Sequence, residues 1–304
     1  MLAIVLETSL KLPLFGKGKV RDTYQVGDKL LIVATDRISA FDFVLPTGIP
    51  DKGIVLNQIS AFWFAKTFHM IPNHMIESIE SQRALRKYAP GKRPLPEYLF
   101  GRSMVTLKAE RIPVECVVRG YISGSAWIEY QKSGTINKKK APAKLKESQE
   151  LPEPIFTPTT KAEAGHDLPL SEKALVNLVG SKTAHALEEK SIMLYTFARD
   201  YAIQKDIIIA DTKFEFGYHD RDLILIDELL TPDSSRFWDA SEYRPGYSQP
   251  SYDKQFVRDW LIASGWKMKA PAPELPQDIV EATAERYRDA YMFLTGRKLK
   301  NVFS

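Results

Sequence analysis

Cysteine is almost missing from this chain: Cys116 is the single one among 304 residues. A lone cysteine excludes an internal disulfide and suits a reducing compartment. It lies in the apolar run 114–118, so a buried structural thiol is expected. Long hydrophobic runs are missing too. No stretch approaches the ~20 apolar residues that a spanning helix needs. The apolar residues 1–6 have no basic segment before them and meet Glu7 at once, which does not read as a secretory signal. A cytoplasmic protein with no membrane partner is expected. The five histidines, His69, His74, His166, His185 and His219, are scattered and form no HxxxH pair, which argues against zinc. A large excess of one charge is missing as well, with 42 Lys and Arg against 38 Asp and Glu. A net charge of +4 is compatible with small anionic substrates and too weak to argue for nucleic acid.

What is present is ordinary globular material, 44% hydrophobic and 26% charged. The length suggests about two domains. The chain is organised around residues 207–238. There the apolar runs Ile207-Ile208-Ile209 and Leu223-Ile224-Leu225-Ile226 flank a polar tip, Tyr218-His219-Asp220-Arg221, and read as paired strands. Alternation along a strand places Asp211, Lys213 and Glu215 on one face, and Asp227 ends the second strand. Alternating charges ordinarily mark a solvated face. Here the approach to each acid is apolar on both faces, the mark of a strand inside the protein. Acids held there need cations. Lys213 can neutralise one, and a divalent metal could take two more, since Mg²⁺ is typically held by one or two carboxylates plus substrate phosphates.

The remaining segments are read for what could bring those phosphates. Residues 12–34 predict a glycine-lysine turn around Gly16-Lys17-Gly18-Lys19, then strands over 20–26 and 30–34. Such a turn offers backbone N–H groups and ammonium heads to a phosphate chain, and a basic surface hairpin is the competing reading. No Ser or Thr follows the lysine, so it is not a Walker A loop, and Arg21 breaks GxGxxG. Residues 34–53 read as loop with short strands, in which Asp36, Arg37, Ser39 and Asp42 bunch as a hydrogen-bonded turn or a substrate wall. A helix is expected over 57–69. Residues 104–121 hold two strands joined by 108–113, resembling a hinge whose backbone could meet an adenine edge. Arg119, Ser123 and Ser125 are plausible donors to a phosphate monoester, although serines there could simply cap a helix over 126–131.

Residues 133–154, with Lys138, Lys139 and Lys140, predict an exposed, solvated excursion; no aromatic is interleaved as RNA binding would want. Residues 156–167 are turn-rich, as an active-site loop would be. Ser171 caps a short helix reaching Gly180, and longer helices are expected over 182–204, 253–264 and 277–295.

Six blocks, GKGKVRDTY, ATDRISAFD, VVRGYISGSAW, FTPTTKAE, ADTKFEFG and IDELLTPDSSRFW, stand in this order and spacing. Together they resemble the SAICAR synthetase (phosphoribosylaminoimidazole-succinocarboxamide synthase) family of purine biosynthesis over nearly the whole chain. The lysine-rich excursion and the block PSYDKQFVRDWL resemble its longer members. The resemblance implies an α+β fold of two lobes with antiparallel sheets and packed helices: an N-terminal lobe over 1–112, a C-terminal lobe over 113–304, and an ATP-grasp-like nucleotide site between them. It implies an ATP-dependent ligase that joins L-aspartate to carboxyaminoimidazole ribonucleotide (CAIR), giving SAICAR, ADP and phosphate. Carried over, Lys17, Gly18 and Lys19 would hold the ATP phosphates, and Lys108, Glu110 and Ile112 the adenine. Glu215 and Asp227 would ligate Mg²⁺ and, with Lys213, form the catalytic set. Arg119, Ser125, Asp211, Lys213 and Arg236 would lie about the ribonucleotide, with Asp42 at the imidazole amine. Lys161 and Asp167 would serve aspartate or loop closure.

That chemistry suits the residues. A free carboxylate needs activation before an amine can displace its oxygen, and phosphorylation by ATP supplies it through an acyl phosphate. The transfer needs cations over phosphoryl oxygens and reactants held in line. Two rivals stand beside it. An ATP-dependent small-molecule kinase would use a similar hairpin, hinge and acid pair, although the protein-kinase HRDxxxxN signature is absent. A nucleotide or RNA binder would depend on the lysine tract.

Overall fold

The segment 108–113 runs between two antiparallel sheets in an α+β architecture. The computed structural model describes residues 3–89, 94–161, 167–252 and 254–299. Ala162, Glu163 and His166 of the predicted active-site loop lie outside the described residues, as do Asp253 at the expected start of a helix and the ending 300–304. No helix among the described residues is long and apolar enough to cross a membrane.

The first sheet orders its strands Leu14–Lys17, Arg21–Val26, Lys29–Ala34, Ser103–Leu107 and Met75–Ser78. Gly27, at φ 64°, makes the tight turn of its second hairpin. One face packs Tyr24, Leu31, Val33 and Val105 on Leu85 and Leu99. Ala34 and Met104 join a larger core with Val55, Ile59 and Trp63 of the helix Lys52–Thr67. That helix begins five residues before the sequence suggests. Asp51, at φ 66°, precedes it without a side-chain cap, so the usual start signal is absent. Asp36 caps it from a distance, accepting the Gly53 N–H at 2.9 Å.

The second sheet runs Glu150–Phe156, Val114–Tyr121, Ile207–His219, Asp222–Ile226, with Ser235–Asp239 and Glu110–Arg111 also paired to Ile207–His219. The predicted hairpin is present, with Glu215 opposite Ile226 and His219 opposite Asp222. The helix Ser181–Ile203 covers this sheet with Leu187, Leu194, Tyr195 and Ala198. Cys116 is fully buried opposite Phe214, as expected for a structural thiol.

The expectation of a wholly exposed excursion over 133–154 needs correction. Ile136, Leu145 and Leu151 are buried with Ile122 and Ala126, and the segment ends in the strand Glu150–Phe156. Its lysines stay outside while the apolar residues between them fill the space beneath the helix Gly124–Ser133. That helix carries no Ser123 side-chain cap, contrary to the capping alternative.

The helices Gln255–Ala263 and Gln277–Thr295 fold back onto the beginning of the chain. Val257, Leu261, Val280 and Ala284 pack on Ile38, Leu45 and Ile49. A buried polar knot fastens this closure: Lys52 lies 2.8 Å from Asp233, which also accepts the Tyr287 hydroxyl at 2.6 Å. Removing one partner of a buried pair leaves an uncompensated charge. Lys52→Met should therefore cost about 3–5 kcal/mol in denaturant unfolding. Tyr287→Phe, which loses one hydrogen bond, should cost about 1 kcal/mol.

Candidate active site

The strand Ile207–His219 carries polar groups at its centre and toward both ends. Its centre carries an alternating cluster. Lys213 Nζ lies 2.6 Å from Glu115 Oε1, on the neighbouring strand. Lys161 pairs with Glu215 and stands 4.0 Å from Glu115. Asp227 directly follows Ile226, the residue opposite Glu215, and adopts φ 65°, which turns the chain at the strand end. Arg21 reaches across from the first sheet, with Nη1 2.5 Å from Asp227 and Nη2 2.5 Å from Glu228. Lys213, Glu215 and Asp227 are therefore brought together as expected, while Asp211, the third acid expected on this patch, pairs with Arg119 and Arg236 instead. The lysine bonded to Glu215 is Lys161, while Lys213 pairs with Glu115.

Electrostatics follow from burial. Desolvation, then the adjacent Asp227 charge, push the Glu215 carboxyl up to about 7 against the pull of Lys161 and Lys213. Burial would raise Asp227 too, but Arg21 and Lys161 outweigh it and hold that carboxyl well below the usual range. Burial opposes charge on Lys213 as well, yet Glu115 and Glu215 keep it protonated above the ordinary lysine range. Two adjacent acids thus share one strong negative charge, with a proton retained on Glu215 near neutral pH. A hard divalent cation with oxygen preference suits this donor set. Among the described residues no group of three or more His, Cys, Asp or Glu side chains is placed to hold a metal. Such a cation would thus draw further ligands from water or a bound phosphate.

Four residues before Glu215 along the same strand is a cationic corner. The buried Arg119 donates to Asp211 at 2.9 Å, to Thr157 at 3.1 Å and to Ser125 at 3.2 Å. Arg236 also pairs with Asp211. Two guanidiniums sharing one carboxylate leave a net positive charge, suited to an anion. Gly124, at φ 54°, adopts a left-handed backbone that other residues rarely take, and a Cβ there would push the Arg236 guanidinium aside. Arg119 and Ser125 open onto a cavity of about 660 Å³, also lined by Glu129, Lys132 and Thr157.

The predicted phosphate turn sits at the end of the strand Leu14–Lys17 and just beyond it. Lys17 is 3.3 Å from Glu7, and Lys19 pairs with Asp42, both largely exposed. Gly18 does not offer its N–H as expected, since that group is bonded to the Arg21 carbonyl at 2.7 Å. Arg37 ties the turn from behind, donating to the Lys19 and Gly18 carbonyls at 2.9 and 3.0 Å while paired with the buried Asp22 at 2.7 Å. Asp36 and Arg37 are thus a hydrogen-bonded support, the first of the two readings of that segment.

At the far end of the strand, Glu110 pairs with Tyr218. The Lys108 carbonyl lies 3.1 Å from His219 Nδ1, and Lys108 Nζ stands 5.2 Å from the Phe15 ring centre. Ile112 is buried, its N–H bonded to Phe216 at 2.9 Å and its carbonyl to Val114 at 2.8 Å. Its backbone is therefore closed to an adenine edge. Asp167 is exposed beyond the undescribed part of its loop.

Arg21, Glu115, Thr157 and Glu228 were not singled out as site residues from sequence. A lone acid inside the apolar run 114–118 is the signal for Glu115. Nothing in the sequence pairs Arg21 with Asp227, 206 residues away.

A family model described as SAICAR synthetase matches residues 14–273. The phosphoribosylaminoimidazole-succinocarboxamide synthase of Thermodesulfovibrio yellowstonii is 54% identical across 96% of this chain and 99% of its own. The solved SAICAR synthase of Saccharomyces cerevisiae, complexed with SAICAR, superimposes with a TM-score of 0.89 at 47% identity, covering 98% of this chain and 100% of that one. A SAICAR synthetase in complex with ADP superimposes at 0.68 with 25% identity, covering 94% and 99%. Likeness that runs through both sheets and the closing helices, and not through the charged strand alone, means that the chain belongs to the SAICAR synthetase family, the ligases that spend ATP to join L-aspartate to CAIR in purine biosynthesis.

Proposed function

We propose that this ligation proceeds through an acyl phosphate in an ATP-grasp-like cleft, between an N-terminal lobe over 1–112 and a C-terminal lobe over 113–304. The observation that carries this reading is the acid pair Glu215 and Asp227, buried among Lys161, Lys213 and Arg21 on the strand that also bears the cationic corner. A CAIR carboxylate oxygen attacks the γ-phosphorus of ATP and ADP leaves. The aspartate amine then attacks the acyl carbon, loses a proton and expels phosphate. Oxide leaves poorly and phosphate leaves well, so the nucleotide serves to convert one into the other.

Lys17 and Lys19 hold the ATP phosphates, with Gly18 letting the backbone approach. Lys108 and Glu110 meet the adenine, with Ile112 anchoring that segment through its bond to Phe216. Glu215 and Asp227 hold Mg²⁺, which supplies charge neutralisation of the phosphoryl oxygens. Arg119, Ser125 and Arg236 take the ribonucleotide phosphate, with Asp211 orienting both arginines. Lys213 steadies charge on the transferring group. Asp42 is assigned to the imidazole amine, and Lys161 and Asp167 to L-aspartate. The location is cytoplasmic, and Lys138, Lys139 and Lys140 are solvated, without a nucleic-acid or membrane partner.

A phosphate-release assay with each substrate omitted in turn tests the whole reading. Phosphate should appear only when ATP, CAIR and aspartate are all present; ADP formation without aspartate-dependent phosphate would point to a kinase. In the same assay Glu215→Ala and Asp227→Ala should each lose turnover by about a thousandfold while keeping a native near-UV spectrum, and activity within about tenfold of wild type would refute their role. Arg119→Ala should raise KM for CAIR by about a hundredfold and leave KM for ATP nearly unchanged.

Proton linkage supplies a further check. Glu215 is raised from the ordinary value of 4.5 to about 7, so the folded protein holds this proton more tightly than the unfolded chain. Without metal, that residue's contribution to stability should fall as pH rises across this window. Mg²⁺ must displace the same proton. Its binding should release a proton and weaken about tenfold per unit below pH ~7. Titration calorimetry in buffers of different ionisation enthalpy reads that proton, and Glu215→Gln should abolish it.

A further inference from the structure

Arg21 touches both halves of the site and has no part in the reaction described so far. Its backbone closes the phosphate turn, with its carbonyl accepting the Gly18 N–H at 2.7 Å. Its side chain, 15% exposed, leaves the first sheet and bridges two consecutive carboxylates just after the strand Asp222–Ile226, Asp227 and Glu228, at 2.5 Å each. Nη2 forms the ion pair with Glu228. Glu228 is fixed in turn by the Thr231 hydroxyl at 2.5 Å. Asp227 stands just beyond the last paired residue of its strand, where ladder hydrogen bonds no longer fix it, and its orientation depends on what grips its oxygens.

We propose that Arg21 is a positioning residue that couples the nucleotide-phosphate turn to the metal carboxylate. It grips Asp227 by Oδ1 and so orients the carboxylate toward Glu215 and the cation, while its main chain sets the turn bearing Lys17 and Lys19. A guanidinium suits this role because its planar fork reaches two acids at once and never gives up its proton, whereas an ammonium is a single point of charge. The occupancy of one half of the site by metal then favours occupancy of the other by phosphates, a coupling that is reciprocal by thermodynamic necessity. The inference rests on the reading of Asp227 as a metal ligand.

The test is ADP binding measured by calorimetry with and without Mg²⁺, which needs no turnover. In wild type Mg²⁺ should tighten ADP. Arg21→Gln should lose about tenfold or more of that enhancement while ADP affinity without Mg²⁺ stays within about threefold. Arg21→Lys, which keeps the charge and serves should the glutamine variant fail to fold, should lose part of it. An unchanged enhancement in these variants overturns the proposal. Equal weakening with and without Mg²⁺ also overturns it, because that is what a merely structural bridge would give. Asp227→Asn separates the two layers. If it loses the enhancement and the Arg21 variants keep it, only the coupling fails. If it keeps the enhancement, the metal reading itself has failed.

Discussion

Two neighbouring carboxylates taken out of water govern the construction of this molecule. Glu215 and Asp227 sit side by side across the end of a strand pair, where burial alone would oppose a charge on either; cations overcome it at Asp227 and not at Glu215. The surroundings answer that demand from three directions. Lys161 arrives from the loop after Thr159–Thr160, Lys213 from the same strand, and Arg21 from the other sheet. A fold that did not bring these elements together would leave an unpaired charge inside the protein. Burial and the Asp227 charge together outweigh Lys161 and Lys213 at Glu215, so its carboxyl stays above the usual range despite two cations beside it.

The same strand does different work along its length because side chains alternate while the backbone stays paired. Asp211 joins two arginines, Lys213 and Glu215 belong to the alternating cluster, and Gly217 and Tyr218 receive the segment 108–112. Gly217 permits that approach, since a Cβ there would come within 2.8 Å of the Glu110 carbonyl. One rigid element thus spaces the anion corner, the acid pair and the connecting segment at intervals of a few residues. Reactants bound at those points would be held in line by the pitch of a strand, without reliance on mobile loops.

Much of this was legible in the sequence because its signals are local. The apolar runs 207–209 and 223–226 gave the hairpin, although its register came only with the structure and its tip is Asp220-Arg221, shorter than the expected 218–221; Ser171 with Gly180 bounded a helix as propensity rules require. The misses are contacts made at a distance. The helix Lys52–Thr67 hid its first turn because its cap is Asp36, which no local motif reveals. Glu115 meets Lys213 across 98 residues and Arg21 meets Asp227 across 206, so both acquire meaning only after the sheets form. The excursion over 133–154 misled because its lysines dominate its composition, while three widely spaced apolar residues determine where it packs. Ile112 fell in the expected hinge, but its backbone groups were already claimed by strand pairing that residue types do not announce.

Cys116 lies against the middle of the charged strand, opposite Phe214, and burial lifts its thiol far above the ordinary range. A thiolate is what alkylating reagents attack, so the native molecule gives them nothing to react with. Labelling can proceed only through molecules in which the core between this sheet and the helix Ser181–Ile203 has opened. The only sulfhydryl in the chain is therefore an intrinsic clock for the opening of the core that backs the strand carrying Glu215.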